Sequence, residues 1–468
     1  MLKYKIFISI LTLGLLVACS VPKDSLQSAV QTPENYRQVQ ADTVSIATIP
    51  WKAYFPDAEL NGLIDQALTN NNDLQIALTN LESAQLTLGQ AKLGNIPTLD
   101  LGVTAGSTRL SDNSINGFST NTFLGQHHID DYTLAARLSW EADIWGKIKS
   151  RKASALASYL QTDEARKAVQ TQVVSNVAKG YYNLLLLDTQ LDIAQRNVQL
   201  NDSTLTIIKL QYESGQVTSL AVQQAKAQKL FAAKLVPYFE QEIAIQENAL
   251  SILIGKSPDG ITRKITLKNL VATKELSAGL PSSLLSLRPD VKFQELALSK
   301  ANAEIGVAKA SMYPSLVITA QGGLNSFQAS NWFNIPASLF GAVGGGLTQP
   351  LFRKKELRTQ YELAKVGREQ AVIRFRQSML VAVGEVSDAL VKIDKLESQE
   401  GIASERAATL KDATGNSTML FKNGLATYLE VITAQGNVLQ SELELAALKK
   451  SRLDAAVDLY RAAGGGWQ

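Results

Sequence analysis

The chain has one cysteine, two histidines, four methionines and twelve prolines in 468 residues. A lone thiol cannot form a disulfide within the chain, so the fold rests on packing. Two histidines leave few side chains that titrate near neutrality, and acid–base catalysis has few players. One cysteine and four methionines offer no soft-metal relay. The 46 basic and 43 acidic residues nearly cancel, to a net charge of +3, which leaves no nucleic-acid footprint. The motifs of common enzymes are missing too. No Gly-x-Ser-x-Gly element occurs, and Gly255-Lys-Ser257 has Leu250 where a phosphate loop needs glycine. His127-His128 and Asp130-Asp131 crowd into a predicted surface loop without the rigid support that a metal site needs. Scarce proline, with abundant Ala, Leu, Gln, Val and Ser, suits long helices better than a compact enzyme.

The N-terminal apolar run, Ile6 to Val17, is about a dozen residues long. A spanning helix needs ~20. The run follows the basic flank Met1-Leu-Lys-Tyr-Lys and ends at Leu16-Val-Ala-Cys19. That tetrapeptide resembles the bacterial lipoprotein signal, which implies removal of residues 1–18 and a lipid on Cys19. Ser20, not Asp, follows the cysteine, which in that class permits sorting to the outer membrane. Residues 19–56 are then a lipidated, extended segment.

Beyond it the chain contains itself twice. Asp73, Leu81, Ala84, Gly89, Ala91, Lys92 and Pro97 recur as the same residue types 217 positions later, ending at Pro314. Tyr212-Glu-Ser-Gly-Gln-Val-Thr-Ser-Leu-Ala-Val matches Phe421-Lys-Asn-Gly-Leu-Ala-Thr-Tyr-Leu-Glu-Val at an offset of 209. Two copies of one elongated unit follow, residues 57–255 and 287–464, joined by a linker at 256–286 and followed by a tail at 465–468. A short strand is expected in the linker at Ile261–Leu267.

Within each copy the periodicity changes in the same order. A helical pattern runs from Asp57 until Pro97 stops it, and its counterpart runs from Pro289 to Pro314. Alternating apolar and polar residues then predict strands at about 98–110 and 132–143, and again at about 315–324 and 338–349. A Gly/Ser/Asn-rich loop lies between the first pair. Long proline-free stretches with three-or-four spacing predict helical hairpins at about 147–255 and 354–462, with tips near 215 and 424. The first helix would reach on the order of 100 Å. Four strands, each apolar on one face, match the length of membrane-barrel strands, which is ~9–11 residues. Four cannot close a barrel, and open edges are not allowed in lipid, so several chains must contribute.

The ordered set Trp51…Phe55-Pro-Asp…Leu60…Leu63-Ile64…Ala67-Leu68, Leu138-Ser-Trp-Glu-Ala-Asp-Ile-Trp-Gly146, Leu287-Arg-Pro-Asp-Val291, Ile305-Gly-Val-Ala-Lys-Ala310, Leu347-Thr-Gln-Pro-Leu-Phe352 and Gly-Gly-Gly-Trp467 resembles the TolC-like outer-membrane factors of tripartite efflux systems, in their lipoprotein branch. The resemblance implies a homotrimer with a twelve-stranded transmembrane β-barrel and a periplasmic α-helical barrel. It implies docking to a periplasmic adaptor and an inner-membrane pump, and passive export of small molecules such as drugs or toxic compounds. A protein-secretion duct and a solid structural stalk are the rival readings.

Under that resemblance Gly215 and Gly424 turn the two tips, and Thr218 and Thr427 cap the returning helices. The same geometry would serve adaptor docking. Glu430 is the candidate for a gating ring of carboxylates, or else an ordinary solvated helix residue. Ala221 and Thr433 stand where family members often carry Asp, which thins such a ring. Arg353-Lys-Lys355 replaces the small, glycine-containing turn usual in the family, and is either solvated or set against lipid headgroups.

Overall fold

The computed structural model describes residues 35–36, 45–270 and 278–468. Cys19 and the signal segment lie outside the described residues. After a single turn at Trp51–Tyr54 come α1 (Ala58–Asn70) and α2 (Asn72–Lys92), then β1 (Thr98–Arg109), α3 (Ile115–Leu124) and β2 (His128–Ala142). The first hairpin is α4 (Lys147–Glu213) and α5 (Ser219–Leu253). The second copy supplies α6 (Pro289–Ala310), β3 (Ser315–Ser326), β4 (Leu339–Thr348), α7 (Glu356–Lys422) and α8 (Tyr428–Ala463).

Both long helices, α4 and α7, are 67 residues long. β1 and β3 open 217 positions apart, whereas α4 and α7 open 209 apart. The eight-residue difference therefore arises between the first strand and the long helix of each copy, where copy one carries α3. The expected loop thus contains a ten-residue helix, with the Ser114 hydroxyl accepting from the Gly117 N–H as its cap. The expected first helix is two, because Asn71 leaves helical geometry and its side chain caps α2 at the Leu74 N–H. The strand expected at Ile261–Leu267 does not form; only a 3-10 turn at Leu267–Asn269 does.

Two compact units divide the chain, each drawing on both copies. One takes Ser83–Leu160 and Leu296–Ile373 and holds the sheet, in the order β1-β2-β3-β4 with every neighbour antiparallel. Thr98 pairs Ser139, Ala142 pairs Leu316, and Ser315 pairs Thr348. The outer edges of β1 and β4 have no partner in the sheet. Leu99, Leu101 and Val103 alternate along β1 and are all exposed, as are Leu339, Val343 and Leu347 of β4. β2 starts earlier than the alternation suggested. His128, Asp130 and Asp131 are strand residues, paired with Arg109, Ser107 and Gly106, and not loop residues.

The other unit is built around Gln161–Glu295 and Arg374–Gln468. Buried apolar positions on all four hairpin helices make its core, with Tyr181, Leu184, Leu185, Leu459 and Tyr460 almost fully inaccessible. Tyr460 stacks on Tyr54 at 4.1 Å, and its hydroxyl donates to the Ile49 carbonyl. Arg263 fastens the linker to the first hairpin, reaching Asp188 at 2.5 Å and Glu247 at 2.5 Å. The C-terminal tail is also packed. Gly464 to Gly466 are buried, and the Trp467 indole N–H donates to the Leu287 carbonyl at 3.2 Å.

Candidate functional site

Each hairpin reverses through the same hydrogen-bonded turn. At the first tip the Gln216 N–H donates to the Gln211 carbonyl at 2.8 Å and the Gly215 N–H to Tyr212 at 3.0 Å. At the second, Leu425 donates to Leu420 at 2.9 Å and Gly424 to Phe421 at 3.1 Å. These are paired six-to-one and five-to-two bonds, the Schellman arrangement, which needs a left-handed residue just past the helix. Gly215 has φ of +74° and Gly424 of +73°. Open space surrounds both, so backbone conformation and not room selects glycine.

The caps differ between the tips. Thr218 holds the N-cap position of α5 without a side-chain cap bond, contrary to expectation. Thr427 sits at the N-cap of α8, where its N–H donates to Glu430 Oε2 at 2.6 Å and its hydroxyl donates to the same oxygen at 3.0 Å. Glu430 thus reaches back as the acidic member of a capping box. The backbone and then the hydroxyl bonds from Thr427 hold its carboxyl below the usual range. The residue is exposed, and its carboxylate has a local structural task whatever else it does.

Both tips share one apolar core. Leu205 and Ile208 of α4, Ala221 and Ala225 of α5, Phe421 of α7 and Val431 of α8 form a single buried cluster. The two returning helices do not present equivalent faces to it. α5 buries Ala221 and Ala225, whereas α8 buries Val431 and Gln435, one residue out of phase with the 209-residue offset. One residue is about 100° of helix rotation. Ala221 is therefore 0% exposed, while its repeat counterpart Glu430 is turned to the surface. A carboxylate at 221 would be buried in this apolar cluster, which disfavours it there; the first tip's own carboxylate, Glu213, lies exposed at the end of α4. Behind the cluster, the Gln435 amide donates to the Thr204 hydroxyl at 2.8 Å, and Asn201 donates to Asn197 Oδ1 at 2.7 Å. The tips thus close over a buried polar layer in which one acceptor, Gln435 Oε1, has no partner among the described residues.

The other sequence candidates fall elsewhere. His127 meets Asp112 at 2.8 Å and His128 approaches Asp130 only to 3.9 Å. Among the described residues no group of three or more His, Cys, Asp or Glu side chains is placed to hold a metal ion. Likewise no described helix is long and apolar enough to cross a membrane. The strands, of 12, 15, 12 and 10 residues, do reach the length a barrel strand needs. Sequence reasoning passed over Arg288, the most buried arginine among the described residues, although it lies in a quoted motif. The signal was its place beside Pro289 and Asp290 at a helix start, which gives no indication of its distant partners.

A duplicated chain with a four-stranded, two-edged antiparallel sheet and two long hairpins defines an outer-membrane channel protein. The model of the outer membrane efflux protein family matches residues 63–256 and 280–465, and the chain belongs to that family. It is 29% identical over 460 residues to the cation efflux system protein CusC of Escherichia coli O6:H1, covering 97% of each. It is 30% identical over 462 residues to the solvent efflux pump outer membrane protein SrpC of Pseudomonas putida, covering 97% of this chain and 96% of that one. The crystal structure of CusC superposes with a TM-score of 0.83 at 26% identity, over 96% of this chain and all of the other. The protein is an outer-membrane efflux channel and not an enzyme.

Proposed function

We propose that three copies of this chain close a twelve-stranded barrel through the free edges of β1 and β4, and that their hairpins continue it as a periplasmic duct. The observation that carries this is the sheet itself. It has two unpaired edges and exposed apolar residues alternating along both edge strands. Such edges are tolerated in lipid only when they are paired, and three times four strands falls in the range of known barrels. The six tips would form the periplasmic entrance, an iris-like gate, where an adaptor protein and an inner-membrane pump dock. Cys19 would carry a lipid anchoring the chain to the same membrane, with no other cofactor; the mass of the mature N-terminal peptide tests this.

The cargo is small molecules chosen by the pump. CusC and SrpC stand at nearly the same identity to this chain although one is named for cations and the other for solvents. Overall likeness at this level therefore does not select a substrate. Purified protein is expected to migrate as a trimer and to give discrete conductance steps in planar bilayers. A trimer that never conducts would point to a solid stalk. A deletion strain is expected to become sensitive to toxic compounds; loss of a secreted protein with unchanged sensitivity would favour the secretion duct.

Glu430 is the candidate gate carboxylate, and Glu430→Gln separates its two tasks. Glutamine retains an acceptor for Thr427 and removes the charge. Reduced cation selectivity in single-channel recordings is the expected result, because three-fold symmetry would multiply one lost charge into a ring. Unchanged selectivity and conductance would confine Glu430 to capping.

A further inference from the structure

The two strand-to-helix joins should be alike, yet they are built from opposite chemistry. In copy one, Ile144 and Trp145 are followed by Gly146 at φ +72°, which takes the left-handed turn without strain. Asp143 then accepts from the Ile148 and Lys149 N–H groups at 2.9 and 2.8 Å, and Lys147 pairs with Glu141 at 2.9 Å. Anionic cap, glycine turn and neutralised lysine are what a helix start favours.

Copy two discards all three. Phe352, not a carboxylate, stands 209 positions after the capping Asp143, and the turn is Arg353-Lys354-Lys355. Lys354 and Lys355 both take positive φ, +48° and +63°. Left-handed backbone at two successive lysines costs free energy that glycine would not, and cations at a helix N-terminus are disfavoured as well. Arg353 lies 3.7 Å from Glu356, and among the described residues neither lysine has an ion-pair partner. The two residues before the turn are the most exposed large apolar side chains of the described chain, Leu351 at 92% and Phe352 at 89%. Exposed Leu93, Ile96, Ile144, Trp145 and Tyr313 stand at the same, helix-bearing end of the strands, with Trp145 stacked on Tyr313.

An apolar pair followed at once by three cations is the order in which a bilayer presents acyl chain and then phosphate. Strain held at such a join points to function outside the turn. We propose that Leu351-Phe352 with Arg353-Lys354-Lys355 is a docking site for anionic phospholipid headgroups at the periplasmic face of the outer membrane. The lysines hold the phosphate and the apolar pair seats in the acyl boundary. The proposal rests on the membrane-spanning reading of the sheet.

The test uses the full chain reconstituted in vesicles of phosphatidylethanolamine with a minor share of phosphatidylglycerol. A Phe352→Trp reporter is compared with the same reporter carrying Arg353→Gln, Lys354→Asn and Lys355→Asn, since asparagine tolerates left-handed backbone. Quenching by brominated phosphatidylglycerol relative to brominated phosphatidylethanolamine reads the local preference. The reporter is expected to prefer the anionic lipid, and the preference to fall about fivefold for each charge removed. Equal preference in the two proteins overturns the proposal and leaves a solvated turn. Loss of the trimer with preference unchanged also overturns it, and assigns the turn to a second copy. Lys354→Gly with Lys355→Gly should raise the melting temperature and still weaken the preference; a gain in stability alone would make the turn merely structural. Conductance in the same bilayers keeps the two readings apart. A conducting channel without the preference refutes this site only, and a chain that never conducts refutes the channel.

Discussion

Arg288→Met lowers the stability of the folded channel by about 3–5 kcal/mol, the cost of leaving buried charges without their partner. Arg288 is 3% exposed and joins three segments distant in sequence. Its Nε donates to Asp290 Oδ1 at 2.9 Å, its Nη1 to the Ala462 carbonyl at 3.0 Å, and its Nη1 lies 2.9 Å from Glu385. The start of α6, the middle of α7 and the end of α8 thus meet on one guanidinium, whose planar fork lysine could not reproduce. Burial works against ionisation of Asp290, but the hydrogen bond and charge of Arg288 outweigh it and hold the carboxyl below the usual range. A depressed folded-state pKa stabilises above the unfolded value and loses that contribution as pH falls through the folded one. In Arg288→Met burial is opposed only by the backbone hydrogen bonds from Val291 and Asp290, so the Asp290 carboxyl shifts upward and its contribution above the unfolded value shrinks. The variant should therefore lose more stability at neutral pH than near pH 4, close to the ordinary carboxylate value. Thermal unfolding followed by circular dichroism at both pH values checks this, and an equal loss at both would show that Asp290 does not depend on Arg288.

Phe421→Ala has an effect of similar size, and a functional one besides. Phe421 is 4% exposed within the cluster that both tips share. Truncating a buried phenylalanine costs about 3–5 kcal/mol in lost transfer energy and cavity formation. Here the loss falls on the cluster that the hairpin tips share, and under the proposed iris-like gate this weakens a closed arrangement relative to an open one. Conductance of single channels is expected to rise. Phe239→Ala is the control, because Phe239 is equally buried, against Leu187 and Ala194 in a cluster that contains no tip residue. It should destabilise without raising conductance. If the two variants conduct alike, the tip core is ordinary packing and the gate lies elsewhere.

Much of this was legible in the chain before any coordinates. The repeat, the four strands and both hairpins follow from periodicity, and the tips from glycines whose left-handed backbone is a local requirement. Gly215 and Gly424 could be assigned because a Schellman turn involves only neighbours in sequence. The start of β2 could not, since His128 to Asp131 lack the alternation and are held in the strand by pairing with β1. The helix α3 was hidden for a related reason, its Gly/Ser/Asn composition being that of a loop.

The sequence by itself determined what is periodic and local: the duplication, the order of elements, the turns, and the balanced charge and missing thiols that excluded other classes. Only the tertiary structure decided which helix face is inside. Ala221 and Glu430 occupy equivalent places in the repeat, yet one is core and the other surface, because a phase difference of one residue arises from packing four helices together. The same holds for Arg288, whose burial depends on partners nearly a hundred residues and more away, and for the strained lysines at 354 and 355. Local rules would have placed glycine there.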